Sequence, residues 1–316
     1  MKQVTFSDAE YALKRRQTRR EKFLGTMEQL MPWAEMEALI EPVYPKAGRG
    51  RRPYPLPVML RVHCMQLFYN LSDPAMEDAL YEIDSMRRFA GLSISDRLPD
   101  ESTILKFRHL LERHELGQAL FGSVNEVLAA RGLSLRKGTI VDATILSAPS
   151  STKNKEKARD PEMHQTRKGQ QWYFGMKMHI GVDDVHGLIH SIDTTAANVS
   201  DISQTDKLLH GEEQRVWGDA GYTGVEKRPE HQQRDVGWMI AMKRGQRQQL
   251  DEDSAEELIE QIMASTRAIV EHPFRYIKRV FGYDKVRYRG LAKNHERLHL
   301  LAAFTNLWIA KDTLLA

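Results

Sequence analysis

The sequence predicts an α/β protein in which a mixed sheet, flanked by helices, follows an all-α N-terminal region. Up to residue 132 the apolar residues recur with helical spacing between proline breaks. From Lys137 the pattern changes to short runs rich in β-branched and aromatic residues, which alternate further on with helical segments. This order is typical of a mixed sheet with helices packed on its faces. We place segment boundaries after residues 50 and 132.

The composition is that of a globular protein. The chain has 316 residues, of which 41% are hydrophobic and 28% charged, enough for one large core and a smaller domain. Its single cysteine, Cys64, excludes an intramolecular disulfide and fits a reducing cytoplasm. The N-terminus does not resemble a signal peptide, and the longest apolar stretch, 298–310, is too short to span a bilayer. We therefore expect a soluble cytoplasmic protein.

Charge is distributed unevenly along the chain, although the net charge is only +3. Residues 131–177 contain ten Lys and Arg against four Asp and Glu, and residues 267–297 contain nine against three. Residues 251–260 contain six acids and no base. This pattern indicates a surface for a polyanion beside an acidic segment.

The N-terminal half contains a series of helical patterns. They cover 27–40, 56–71, 74–89 and 101–116, and the last carries Lys106 and Arg108 opposite its apolar side. Short helices ending in a basic one favour helix-turn-helix-like geometry, and the alternative is an ordinary helical domain. The basic run 14–22 is either an arm that contacts the DNA backbone or a solvated helix face.

The C-terminal part contains five strand patterns, in the order β-β-β-α-β-α-β-α. They cover 139–146, 171–182, 188–194, 215–218 and 238–243, with a helical pattern at 201–210 and a long helical tail. The polar, basic segment 147–170 is expected to be flexible without DNA. We interpret Trp172, Tyr173 and Trp217 as core residues rather than as residues that stack on bases.

Three acids stand in informative places: Asp142 within the first strand, Asp219 just after the fourth, and Glu271 in the basic helical tail. A carboxylate in an apolar strand is costly unless it is paired or binds a metal. If the two strands are neighbours, Asp142 and Asp219 come together. Two aspartates and a glutamate among arginines would suit Mg²⁺ acting on a phosphate backbone, where two ions stabilise the entering and leaving oxygens.

Cations surround Glu271 at helical spacing. Arg267, Glu271, Arg275 and Lys278 are separated by four, four and three residues, which places them on one helix face. The adjacent face is apolar and is expected to pack on the sheet. Pro273 should kink or shift the helix at this point. The alternative for Glu271 taken alone is a surface ridge of salt bridges.

Together these motifs resemble the DDE transposases of bacterial insertion sequences, most closely the insertion-sequence-five family. Arg267, Glu271 and Lys278 fit the family signature Tyr-x2-Arg-x3-Glu-x6-Lys, with Ala264 in place of the tyrosine. The other matching segments are Leu98–Arg108, Val141–Thr144, Phe174–Val182, Gly187–His190, Thr195–Asp201, Gly218–Tyr222 and Tyr283–Leu291.

The resemblance implies a ribonuclease-H-like catalytic domain over 133–316, after a basic arm, helix and linker (1–50) and a helical domain that binds DNA ends (51–132). Asp142, Asp219 and Glu271 would be catalytic and would bind two Mg²⁺ ions, or Mn²⁺. The enzyme would cleave the terminal inverted repeats and join the 3′-hydroxyl ends to target DNA, as a homodimer or larger assembly near the bacterial nucleoid. The expected DNA contacts are Arg267, Arg275, Lys278, Lys106, Arg108 and Lys177.

Two alternatives remain open from the sequence. One is a metal-dependent nuclease of the same fold that only cleaves DNA. The other is a domesticated DNA-binding protein that no longer catalyses. The three intact acids argue against the second alternative, and the N-terminal helical region argues against the first.

Overall fold

The computed structural model describes residues 15–48, 51–133, 137–155 and 157–316. Residues 1–14 of the predicted basic arm, with Lys14 of its basic run, lie outside the described residues. The described part confirms the predicted fold class, because a helical N-terminal region precedes a mixed sheet with helices against it. No described helix combines the length and apolar character needed to cross a membrane.

The N-terminal region is more finely divided than the sequence predicted. Pro32 separates two helices within the predicted helix 27–40, since a residue that precedes proline avoids helical geometry and Met31 is extended. Ile83 is likewise extended and divides the predicted helix 74–89. The helices are α1 Arg19–Leu30, α2 Trp33–Ile40, α3 Leu56–Phe68, α4 Asp73–Glu82, α5 Asp84–Phe89, α6 Glu101–Arg113 and α7 Leu116–Ala130.

Local capping explains where several of these helices begin. The Thr18 side chain accepts a hydrogen bond from the backbone of Glu21, whose own side chain bonds back to Thr18, and this capping box starts α1 within the basic run. At the start of α6 the Asp100 side chain accepts a hydrogen bond from the N–H of Thr103 and so acts as the N-cap. A left-handed backbone at Glu115 (φ 50°) ends the predicted helix 101–116 early and starts α7, which the sequence analysis missed.

The sheet is mixed, as predicted, and has six strands in the described part of the chain, one more than the five that the sequence predicted. β1 is antiparallel to β3 and parallel to β5, β5 is parallel to β6, and β3 pairs along its other edge with β2 and then β4. The central position of β1 explains its continuous apolar run, since such a strand is covered on both faces. The strands are β1 Gly138–Ser147, β2 His164–Lys168, β3 Gln171–Asp183, β4 Ile189–Ala196, β5 Arg215–Gly218 and β6 Gly237–Ile240.

The segment 147–170 has more structure than predicted. It contains β2, which forms a hairpin with the start of β3. It is also fixed to the start of the long helix Leu291–Ile309, because Asp160 and Glu162 accept hydrogen bonds from the N–H groups of Gly290 and Leu291. Carboxylates stabilise a helix N-terminus, where the backbone N–H groups lack partners within the helix. The hydrophilic composition of this segment concealed both features.

The helices that accompany the later strands are shorter than predicted, apart from those near the C-terminus. The predicted helix 201–210 consists of a 3-10 turn, Asp201–Gln204, and one short helix. Three 3-10 turns, rather than an α-helix, join β5 to β6. The α-helices are α8 Thr205–Leu208, α9 Arg244–Arg247, α10 Ala255–Arg267, α11 Glu271–Arg275, α12 Leu291–Ile309 and α13 Lys311–Leu314.

Helix α12 joins the helical region to the sheet. It packs against both α7 and β4 and is buried along most of its length. The buried Asn306 accepts a hydrogen bond from the N–H of Ile189 at 2.8 Å, donates to its carbonyl at 2.7 Å, and donates to Asn125 of α7. One apolar core therefore extends from the N-terminal helices to the sheet. The boundaries after residues 50 and 132 stay predictions.

Candidate active site

The topology of the sheet brings Asp142 and Asp219 together. β1 and β5 are parallel neighbours, with Ile140 opposite Trp217. Asp142 follows Ile140 by two residues, and Asp219 follows Trp217 by two residues at the end of β5. This register places Asp142, in the middle of β1, beside Asp219, which directly follows the last residue of β5, so the two aspartates come together as the sequence predicted.

Glu271 reaches the same place from the other end of the chain. Beyond α10 the helix continues as a 3-10 turn, as α11, and then as a π turn over Tyr276–Val280. These changes surround Pro273, which cannot donate a backbone hydrogen bond, so the predicted irregularity is present. The apolar side of this segment is buried through Val270, Phe274, Ile277 and Phe281, and this packing leaves Glu271 exposed.

The three acids line a single cleft of about 590 Å³. Arg267, Arg275 and Lys278 line it too, so the predicted face of the helix is turned toward the acids. Lys168 of β2 and Arg279 also contribute, and the sequence analysis did not assign either of them to the site. The charged lining residues are Asp142, Asp219, Glu271, Lys168, Arg267, Arg275, Lys278 and Arg279.

The acids interact electrostatically. The pKa of Asp142 is raised to about 7, chiefly by burial and also by the negative charges of Asp219 and Glu271, against a hydrogen bond from the N–H of Ala143. A carboxyl group under such repulsion binds a cation favourably, because the cation stabilises the ionised form.

The donor atoms of the cleft fit a divalent metal ion in kind. Within the described residues, no group of three acidic, histidine or cysteine side chains is already assembled as a metal site. Mg²⁺ does not require such a cage, because it commonly binds through one or two carboxylates together with water and substrate phosphates. Carboxylates within one strand, at the end of its neighbour and on a helix provide such a partial ligand set.

The cations of the cleft differ in how they are held. Lys278 donates to the hydroxyl of Thr144 at 2.6 Å and to the carbonyl of Ile145 at 2.8 Å, which fixes the helix to β1 directly beyond Asp142. Burial lowers the pKa of Lys278, and the nearby positive charge of Lys168 lowers it further. In the described part of the chain, Arg267 and Arg275 have no carboxylate partner. These two guanidinium groups are available to an anionic ligand.

Three other predicted DNA contacts lie outside this cleft. Lys106 is exposed on α6. Lys177 forms an ion pair with Asp201 at 2.9 Å and donates to the carbonyl of Val199 at 2.8 Å, so its ammonium group already has protein partners.

Arg108 requires a correction. Its side chain is buried between Asp73, at 2.8 Å, and Glu112, at 3.0 Å, and stacks over Tyr288. Helical spacing indicated a polar face for this residue but could not show that acids from the same region neutralise it. The structure therefore corrects the exposed position expected for Arg108, whose guanidinium group is paired with two acids of the helical region.

Comparison with known protein families agrees with this geometry. Residues 133–307, more than half of the chain, match the family described as Transposase DDE domain. Residues 11–110 match the family described as Transposase domain (DUF772). The chain belongs to the DDE transposase family. Such a transposase has a ribonuclease-H-like catalytic fold and is a metal-dependent enzyme that cleaves DNA and transfers its strands.

These two domains together are typical of transposases like those of the insertion-sequence-five family. The two matches therefore confirm the resemblance found in the sequence. No solved structure matches the chain.

Proposed function

We propose that this transposase binds the terminal inverted repeats of an insertion sequence, cleaves the DNA at those ends and transfers the resulting 3′-hydroxyl ends to target DNA. One observation carries the proposal. Asp142, Asp219 and Glu271 are distant in the chain but line one cleft, and five cationic side chains line the same cleft. Acids alone would repel DNA, whereas cations alone would only bind it.

Each side chain has a separate task in this proposal. Asp142, Asp219 and Glu271 hold two Mg²⁺ ions, or Mn²⁺. Bound there, the ions supply charge stabilisation for the entering and leaving oxygens of the phosphodiester. Arg267 and Arg275 hold the phosphates on either side of the cleaved bond. Lys278, fixed by Thr144 and Ile145, presents its positive charge beside Asp142.

The helical region provides a second DNA contact in the same proposal. Lys106 is exposed on α6, which the sequence analysis assigned to a helix-turn-helix-like unit. Its ammonium group would bind a phosphate of the terminal repeat. Since an element has two ends, we further propose that the enzyme acts as a dimer or larger assembly.

The test is cleavage and strand transfer on a labelled duplex that carries the inverted repeat flanking the gene. Wild type is compared with Asp142→Asn, Asp219→Asn and Glu271→Gln, each with and without Mg²⁺. Substituting a group that only supports a metal ligand typically lowers metal affinity or activity by about 10- to 100-fold. Loss of a ligand itself should therefore lower the cleavage rate by more than about 100-fold. DNA binding should persist in all three variants.

The control is Glu256→Gln, an exposed acid of α10 outside the cleft, which should cut and join like wild type. Wild type that cuts without joining would support a nuclease instead. Wild type that binds the ends without cutting them would indicate a DNA-binding remnant, and acid variants that still cut would overturn the site assignment.

A further inference from the structure

Trp172 has an exposed position that its predicted core role does not explain. Its side chain is 63% exposed, whereas Trp217 of β5 is buried as predicted. An indole group normally covers its large apolar surface, so a strongly exposed one often marks a contact with a partner. The prediction for Trp172 was wrong because the alternating pattern of β3 does not show that its first residues extend beyond the core.

The hairpin that carries Trp172 reaches the catalytic cleft. β2 and the start of β3 are joined by Gly169 and Gln170, and Lys168 and Gln171 form the last pair before this turn. Lys168 lines the cleft that contains the three acids. Trp172 precedes Ile180, the partner of Asp142 in β1, by an even number of residues, so the indole projects from the same face of the sheet as Asp142.

The hairpin is anchored at its base and open at its tip. Met163, directly before β2, is buried, and Phe174 packs against the core. Residues 167–172 at the tip are all exposed. The anchored backbone therefore fixes the position from which the indole projects, which limits the backbone entropy that would be lost when a ligand stacks on it.

The charge around Trp172 favours a nucleic acid over a protein as the partner. Arg167 lies directly opposite Trp172 in the hairpin, and Lys168 comes next. Residues 164–173 contain no acid. An aromatic ring among cations is the combination that binds unpaired nucleotides, where the ring stacks on the base and the cations contact the phosphates.

We propose that Trp172 stacks on an unpaired base at the DNA end while Arg167 and Lys168 hold the adjacent phosphates. The inference rests on the proposed function, since it requires a DNA end to occupy the cleft. Stacking on Trp172 would offset part of the cost of separating a base from its partner, and it would place the neighbouring phosphodiester at the acids.

The experiment measures whether the effects on DNA affinity of removing the Trp172 side chain and of removing one DNA base depend on each other. The full chain is titrated without metal against labelled terminal duplexes in which single nucleotides near the cleavage site are replaced, one at a time, by abasic ones. Wild type, Trp172→Ala and Trp172→Phe are compared. Tyr81→Ala is the matched control, because Tyr81 is an equally exposed aromatic residue (62%) on α4.

Trp172→Ala should weaken binding of intact DNA by roughly 5- to 150-fold, the range expected for loss of one stacked base. One of the abasic duplexes should bind wild type more weakly than intact DNA, by a similar factor. Trp172→Ala should bind that duplex almost as well as it binds intact DNA, because the stacking contact is already lost. Trp172→Phe should keep part of the affinity, and Tyr81→Ala all of it.

The inference would be overturned if, at every abasic position, the losses of affinity from Trp172→Ala and from the missing base simply added together. Unchanged binding by Trp172→Ala would also overturn it. A change in oligomeric state without base coupling would also overturn it, in favour of a protein contact. Thermal unfolding of each variant identifies a folding defect, in which case Trp172→Phe and Trp172→Leu carry the comparison. Because the readout is binding, failure of the proposed cleavage reaction would appear separately, as wild type that binds the ends without cutting them.

Discussion

Two regions of this molecule bring arginines and acids close together, but in the described structure the charges are paired in one region and unpaired in the other. In the helical region Arg108 is buried between Asp73 and Glu112, and each charge has a partner within hydrogen-bonding distance. In the catalytic cleft Arg267 and Arg275 have no carboxylate partner among the described residues, and burial, together with the negative charges of Asp219 and Glu271, raises the pKa of Asp142. The first arrangement stabilises the fold, whereas the second is suited to binding charged ligands.

The contrast shows that residue type does not separate structural charges from functional ones. Arg108 and Arg267 both lie on helices with an apolar side and both were predicted to contact DNA. What differs is whether the surrounding chain neutralises the charge. Charges left uncompensated in a cleft are costly to keep together, and such groups cluster at functional sites.

The largest expected effect is on stability, from Arg108→Ala. The substitution leaves Asp73 and Glu112 without their cation, so the free energy of unfolding should fall by about 3 kcal/mol. Urea denaturation measures this change. Arg113→Ala, which removes an exposed arginine of the same helix, should change the free energy of unfolding by less than about 0.5 kcal/mol. Equal losses in the two variants would show that Arg108 is not structurally distinct.

The second effect is a pH dependence of stability that arises from Asp142. Its pKa is raised to about 7 in the folded state, whereas in the unfolded chain it lies near 4. Between these values the carboxyl group is ionised in the unfolded chain but protonated in the folded one, so rising pH favours the unfolded state. The metal-free protein should lose stability between pH 4 and 7, on the order of 2 kcal/mol, because the side chain keeps some contact with solvent.

Asp142→Asn should remove this pH-dependent loss, and saturating Mg²⁺ should reduce it in wild type because the bound carboxylate is ionised. Thermal unfolding followed across the pH range with and without the ion measures both effects. The same pH profile in wild type and Asp142→Asn would mean that the carboxyl group is not perturbed.

A smaller effect concerns DNA affinity. Arg267→Ala and Arg275→Ala should leave stability unchanged and should each reduce the slope of log affinity against log salt concentration by about one, the expected loss for one phosphate contact. Lys227→Ala serves as the control, since Lys227 is exposed outside the cleft and outside the basic segments. A slope that does not change in Arg267→Ala would place this guanidinium away from the phosphates.

The smallest effect should come from Thr144→Val, which removes one of the two hydrogen bonds that hold Lys278. One neutral acceptor contributes about 1 kcal/mol, so cleavage should slow by less than about 10-fold. Thr144→Ser keeps the hydroxyl and should restore the rate. A loss as large as that of Lys278→Ala would mean that Thr144 contacts the DNA itself.

Much of the fold could be predicted from local patterns. The β-branched run around Asp142 and the helical spacing around Glu271 correctly placed a strand and a helix with a charged face. The patterns failed where the chain is polar, as in 147–170, because the anchors there are two carboxylates that bond to a helix start far along the chain. They also failed for Arg108 and Trp172, whose burial depends on which elements pack around them.

By itself, the sequence determined the elements of the catalytic site and the residue types they carry, because strand and helix periodicity and local capping depend on near neighbours in the chain. It also showed the family resemblance that the domain matches confirmed. Only the tertiary structure decided that Lys168 borders the cleft, that Arg108 is neutralised in the core and that Trp172 is exposed. The reason is physical: desolvation and charge compensation depend on contacts between segments that are distant in the chain.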